Sequence, residues 1–299
     1  MSETRACTVE DAIEAKKYNK KYGKTIKVTN DFVKMMDEAI PCALKVLKKR
    51  QHDLEKWGKK EQDKFYEIMG VRGDVFIEHE FNICDMENKN TYSSTGKETT
   101  TVVEFMRKAV DRMLTIMSSL HVDSNRIEVS PEDPCAPELG PVPDKKVYKY
   151  GNFVNRTYTS EYSAYVKRTA TWHCSPDQYS EKLEIHIGHN FCTKKLMGQE
   201  SKVSTLCHEI SHFYRVEPKK TLLADEQEKA KSRGEWGGVG TDDLPNTDDY
   251  KHKKGTGGKN IYIEYREKLR SQHSVDVFRN AYNFELYFQL TNQECEIEG

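Results

Sequence analysis

The stretch Ser201-Lys-Val-Ser-Thr-Leu-Cys-His208-Glu209-Ile-Ser-His212-Phe-Tyr214 decides how this chain is read. Val203, Leu206, Cys207, Ile210 and Phe213 recur at spacings of three and four, which is one apolar stripe of an amphipathic helix. Gly198 and Ser201 supply breaker and cap chemistry at its start, and Pro218 is expected to stop it. On such a helix His208 and His212 are one turn apart, on the flank of the stripe. The helix can then pack on a core while turning both imidazoles into a cleft. Two imidazoles so placed can hold one Zn²⁺, with Glu209 between them as a base for a water held there. The competing reading is a chance pentapeptide in which each histidine is an ordinary, partly buried side chain. For the pair, that reading needs separate explanations for His208, Glu209 and His212.

Outward from this helix, periodicity predicts an α+β fold, helix-rich with a small mixed sheet. A helical pattern runs over residues 31–70, with Pro41 expected to kink or divide it. Residues 101–120 form a second helix whose Met106, Met113 and Met117 stripe reads as core. Strands are predicted at 126–130, 162–172 and 182–187, with a proline-rich loop at 131–143. In the last strand Leu183, Ile185 and Ile187 alternate with Glu184 and His186. Residues 216–258 read as irregular, and helices are predicted near 259–272 and 275–290. Residues 1–30 read as a polar lead-in and 31–299 as a single domain.

Composition narrows the function. The net charge of −1 argues against a general nucleic-acid binder. Residues 16–64 are lysine-rich, but Asp31, Asp37, Asp53 and Glu61 are interleaved, as on a solvated helix face. No apolar run reaches the roughly 20 residues needed to span a membrane. The first residues, Met-Ser-Glu-Thr-Arg-Ala, hold no apolar signal region. The eight cysteines include no C-x-x-C pair, so no cysteine zinc site is signalled; a Cys-His nucleophile is open on residue types alone.

A catalytic zinc takes three protein ligands and keeps one position for water. The segment Phe213-Tyr-Arg-Val-Glu-Pro218 has neither the glycine nor the third histidine of a metzincin extension. A thermolysin-like set would use a Glu on a following helix, for which Glu226 is a poor candidate. Gly240-Thr-Asp-Asp243 is the better candidate, as a loop that folds back over the helix, although the same composition serves an ordinary turn.

Taken together, His208-Glu-Ile-Ser-His-Phe213, Gly240-Thr-Asp-Asp243 and Asn280-Ala-Tyr-Asn-Phe-Glu-Leu-Tyr-Phe288 resemble the deuterolysin family, the aspzincins, and within it the peptidyl-Lys metalloendopeptidase branch. The resemblance covers about residues 30–290 and implies a zincin-like catalytic domain. It implies one Zn²⁺ held by His208, His212 and Asp243, with a protein or peptide as substrate. The chain departs from the family in three places. The gap from His212 to Asp243 is wide, which implies an insertion around 213–239. Asn246 stands where the family has a transition-state tyrosine; Tyr250 is the nearest substitute, and Asp249 beside it is a rival ligand. Of the acidic pair that reads a substrate lysine, Glu285 matches one member while Tyr282 replaces the other.

The expectation is therefore a zinc endopeptidase with Glu209 as general base, Tyr250 as oxyanion donor, and Tyr282 and Glu285 lining the substrate site. The alternatives are a zinc-binding pseudoenzyme or partner-binding module, a zinc enzyme acting on a non-peptide amide, and a gluzincin using Glu226. Degradative chemistry without a leader suggests an effector secreted by a leaderless route, where an inhibitor or immunity partner would belong; a cytoplasmic enzyme is the alternative.

Overall fold

Met36, Ile40, Ala43, Val46 and Leu47 lie on one face of a helix and are buried, and that helix, α1, spans Asn30–Lys56. Pro41 lies inside it, so the predicted interruption is not a boundary. An interior proline costs a helix about 3 kcal/mol. Pro41 is exposed, and the buried stripe continues on both sides of it. Each large apolar side chain in that stripe returns about 1.5–3 kcal/mol, enough to carry the helix through. The break falls later, at Trp57 with φ 39° and Gly58, which caps helix α2 (Lys59–Met69). Gly70 ends α2 at φ 73°, donating its N–H to the Tyr66 carbonyl. A Cβ there would stand 2.5 Å from the Arg270 carbonyl oxygen, so the position needs glycine.

The computed structural model describes residues 30–84, 92–120, 124–129, 146–157, 162–166, 183–218, 236–245 and 260–296. After α2, strands β1 (Phe76–Cys84) and β2 (Tyr92–Thr101) pair antiparallel from Phe76↔Thr101 to Cys84↔Tyr92. Periodicity does not reveal this hairpin. Its second strand, Tyr-Ser-Ser-Thr-Gly-Lys-Glu-Thr-Thr-Thr, has no apolar alternation and is driven by β-branched threonines. Phe81 lies across Gly96, its register partner, where a Cβ would meet the ring at 2.4 Å. Helix α3 (Val102–Ser119) follows, capped by Thr101, and its Met106, Met113 and Met117 are buried in the core.

Next come β3 (Ser124–Val129), β4 (Lys146–Tyr150), β5 (Phe153–Arg156), β6 (Ala164–Val166), β7 (Ile185–Gly188) and the short helix α4 (His189–Thr193). The five strands form one sheet in the order β3-β4-β5-β7-β6, antiparallel from β3 to β5 and parallel between β5 and β7. All four residues of β7 are buried. His186 is held between Arg156, Glu184 and a stacked Tyr165. The chain's contacts group into two compact units; one contains 121–165 and 184–194 with this sheet, the other 38–120 and 195–299.

The second unit continues with helix α5 (Lys202–Ser211) and strands β8 (Arg215–Pro218) and β9 (Trp236–Gly237). It then has helix α6 (Ile261–Ser271), a 3₁₀ turn at Val275–Phe278, helix α7 (Ala281–Tyr287) and a 3₁₀ turn at Gln293–Cys295. The predicted helix at 275–290 is therefore divided at Arg279 and Asn280. Strand β8 lies parallel to β1 and antiparallel to β9, which completes a four-stranded mixed sheet ordered β2-β1-β8-β9. The buried Arg215 ties it together, donating to Glu98 at 2.7 Å and to Glu217, with His79 and the Phe81 ring against the guanidinium. The helix-rich α+β class is as expected, but the strands form two small mixed sheets among the described residues where one was expected. Among the described residues no helix is long and apolar enough to cross a membrane. Cys42, Cys192, Cys207 and Cys295 are not joined in disulfides.

Candidate metal centre

Helix α5 starts at a reciprocal cap. Ser201 Oγ accepts from the Ser204 N–H at 3.1 Å, and Ser204 Oγ accepts from the Ser201 N–H at 3.0 Å. The helix ends at Ser211 with His212 as its C-cap, so Pro218 does not terminate it; Pro218 closes strand β8 instead. Residues 203–211 are buried on every side, not along one stripe. The polar face that sequence periodicity would leave in a cleft is covered by α7 and by the segment after β9. Cys207 is wholly buried and burial pushes its thiol pKa up, which leaves it an inert core group.

The loop after β9 folds back onto the end of this helix. The N–H groups of Gly240 and Thr241 donate to the Ser211 carbonyl at 2.9 and 3.1 Å. Gly238 makes the approach feasible, since a Cβ would lie 2.3 Å from the Phe213 carbonyl oxygen. Arg112 of α3 donates to the Gly238 carbonyl at 2.9 Å. Gly240 sits at φ 81°, and Thr241 Oγ1 is 2.7 Å from Ser211 Oγ. The Thr241 carbonyl reaches His212 Nδ1 at 2.9 Å.

Helix α7 secures the far side of the same loop. Asp242 N–H donates to the Arg279 carbonyl at 2.7 Å, and Ala281 N–H donates to the Asp242 carbonyl at 2.9 Å. The buried Asn280 caps α7 through Tyr282 N–H, accepts from Leu244 N–H at 3.3 Å, and donates to Asn283. Tyr282 and Glu285, one turn apart on α7, both face His208. The Tyr282 ring meets the His208 ring edge-on at 4.8 Å and stacks on Tyr262 at 5.0 Å. Glu285 Oε2 is 3.3 Å from His208 Nδ1.

These contacts bring one donor atom each from His208, His212 and Asp243 within 4.8 Å of one another. Asp243 Oδ1 lies 3.2 Å from His208 Nε2 and 3.6 Å from His212 Nε2. Both histidines are buried, whereas Asp243 is exposed, so the cluster opens to solvent through its carboxylate. Burial alone would lower the His208 pKa, but the Asp243 and Glu285 carboxylates and the nearby Glu209 outweigh it and hold that pKa well above the ordinary value. Burial, with Asp243 and Glu285 nearby, pushes the Tyr282 hydroxyl up, so it stays protonated as a donor.

Of the residues singled out in the sequence, His208, His212, Asp243, Tyr282 and Glu285 are brought together, with Glu209 buried on the same helix. Tyr250, the rival Asp249, Glu226 and Asn246 lie outside the described residues. Glu285 turns its carboxylate to His208 and Ser204. Ser204, Ser211, Gly238 and the capping Asn280 also build the site, and no sequence motif marks these roles. The glycine run Gly237-Gly-Val-Gly240 was the available signal for a close backbone approach. Comparison with family models, curated proteins and solved structures gave no match.

Proposed function

We propose that this chain is a zinc-dependent endopeptidase of the aspzincin type on a zincin-like domain. The observation that carries the reading is the convergence of both Nε2 atoms on one Asp243 oxygen. Two imidazole nitrogens and a carboxylate oxygen suit Zn²⁺, and three protein donors leave a fourth position for substrate or water. The residues fit the ion for a second reason. Both Nδ1 atoms face fixed oxygens, Glu285 for His208 and the Thr241 carbonyl for His212, so each ring offers Nε2 to the centre.

His208, His212 and Asp243 would hold the ion. When bound, Zn²⁺ polarises the scissile carbonyl and lowers the pKa of a water to about 7. Glu209, next to His208 on α5, accepts the proton of the attacking water and returns it to the leaving amine. Tyr250 is proposed as the hydroxyl that steadies the oxyanion, a contribution of about 3 kcal/mol. The exposed Asp243 edge gives an extended peptide access to the cluster.

The test pairs zinc content with cleavage of casein and of a peptide library. The parent should hold one zinc per chain and cleave; Glu209→Gln should hold the zinc and lose cleavage. Equal cleavage by Glu209→Gln would sink the assignment. Zinc without cleavage in the parent would favour a partner-binding module.

A further inference from the structure

The resemblance places Glu285 in the substrate pocket, yet its contacts run inward. Glu285 is 7% exposed, one turn into α7. Its Oε1 is 3.3 Å from Ser204 Oγ, the serine of the α5 capping box. Its Oε2 is 3.3 Å from His208 Nδ1, a buried nitrogen with no aligned hydrogen bond. Ser204 and His208 are one turn apart on α5, so a single carboxylate spans the cap and the first motif histidine. The α7 register that makes this contact is set by Asn280, which is wholly buried, and Tyr282 fixes the His208 ring plane edge-on at 82°.

A neutral imidazole carries one N–H, and the nitrogen that carries it cannot ligate a metal. A carboxylate against buried Nδ1 favours the proton there and frees the Nε2 lone pair, which points at Asp243. His212 obtains the same tautomer from a backbone carbonyl, an acceptor that no side-chain substitution removes. We infer that Glu285 is a positioning residue for His208, anchored by Ser204, that holds Nε2 toward the metal and does not read a substrate lysine. This rests on the metal reading proposed above.

Zinc affinity measured by chelator competition tests it, on the intact chain and on Glu285→Gln, with far-UV circular dichroism to check folding. Loss of an outer-sphere carboxylate typically costs 10–100-fold in metal affinity, and that is the expected loss for Glu285→Gln. Ser204→Ala should weaken zinc by a smaller factor. Histidine ¹⁵N NMR of the zinc-loaded parent needs no variant to fold: His208 should show a protonated Nδ1 and a metallated Nε2. Zinc affinity of Glu285→Gln within twofold of the parent overturns the inference, as does metal on His208 Nδ1. So does unchanged zinc affinity with a lost preference for lysine-containing peptides. Zinc binding by the parent separates these outcomes from failure of the metal reading; a parent that takes up no zinc overturns both.

Discussion

His212 Nδ1 lies 2.9 Å from the backbone oxygen of Thr241, and the carboxylate of Asp243, two residues further along, lies 3.6 Å from Nε2 of the same ring. One short loop thus grips both edges of an imidazole. The carbonyl sets the tautomer, and the side chain sits where a shared ion would be. Replacing Asp243 by Ala should leave α5 and its caps intact but cut zinc affinity by at least ~100-fold, beyond the 10–100-fold typical of an outer-sphere change. Isothermal titration with Zn²⁺ measures this. Retained affinity would move the third ligand elsewhere, with Asp249 first in line.

Gly238→Ala tests the close approach that delivers this loop. The added Cβ meets backbone oxygens of Phe213 and Ile210 at 2.3 and 2.7 Å, and backbone atoms cannot rotate away. Overpacking of this kind costs about 1–3 kcal/mol, which lowers the thermal midpoint by several degrees. Zinc affinity should fall with it, because Thr241 and Asp243 follow directly. A variant with unchanged midpoint and affinity would show that the loop does not need this contact.

Metal binding should be proton-linked. In the ion-free protein, Asp243 and Glu285 hold the His208 pKa well above its ordinary value against the opposing effect of burial. The imidazolium must lose its Nε2 proton to ligate, so zinc uptake releases a proton and affinity falls as pH falls. For the ion-free fold the sign is opposite. A raised histidine pKa stabilises below the unfolded value of about 6.5, and that stabilisation is lost as pH rises through the folded one. Calorimetry in buffers of different ionisation enthalpy counts the protons; a count of zero would contradict the geometry.

Glu98 carries an acid-dependent share of stability. Burial raises its pKa, but hydrogen bonds from Arg215 and Lys108 overcome this and bring it down to about 2. A depressed carboxylate stabilises above its unfolded pKa, and the contribution is lost as pH falls from about 4.5 through 2. Glu98→Gln should lower the thermal midpoint at pH 7 and flatten its fall between pH 5 and 2. Parallel midpoint-versus-pH curves for variant and parent would remove Glu98 from this role.

Pro41→Ala should stabilise the protein. It restores a helical N–H at an exposed position of α1 and relieves a cost of up to about 3 kcal/mol. The expected outcome is a higher midpoint in thermal or urea unfolding, with zinc affinity unchanged because α1 supplies none of the converging donors. A lower midpoint would mean that the proline ring packs favourably where it lies.

The helix of the motif, its cap at Ser201, the buried stripes of α1 and α3 and the pairing of His208 with His212 were determined by the sequence itself. Each depends on neighbours within a turn, and local spacing expresses that directly. Pro41 misled because its local penalty is smaller than the burial on either side of it. The β1–β2 hairpin stayed hidden because its second strand is polar, so its pairing depends on cross-strand partners and not on alternation. The composition of Gly-Thr-Asp-Asp serves a turn as well as a ligand loop, and only the return of the chain onto Ser211 sets Asp243 opposite the histidines. Glu285 shows the limit most clearly. The family resemblance alone implies a substrate contact for it, whereas the docking of α7 on α5 turns its oxygens to Ser204 and His208. Which groups a carboxylate meets depends on contacts between segments distant in the chain, and these form only when burial of the apolar faces brings the helices together.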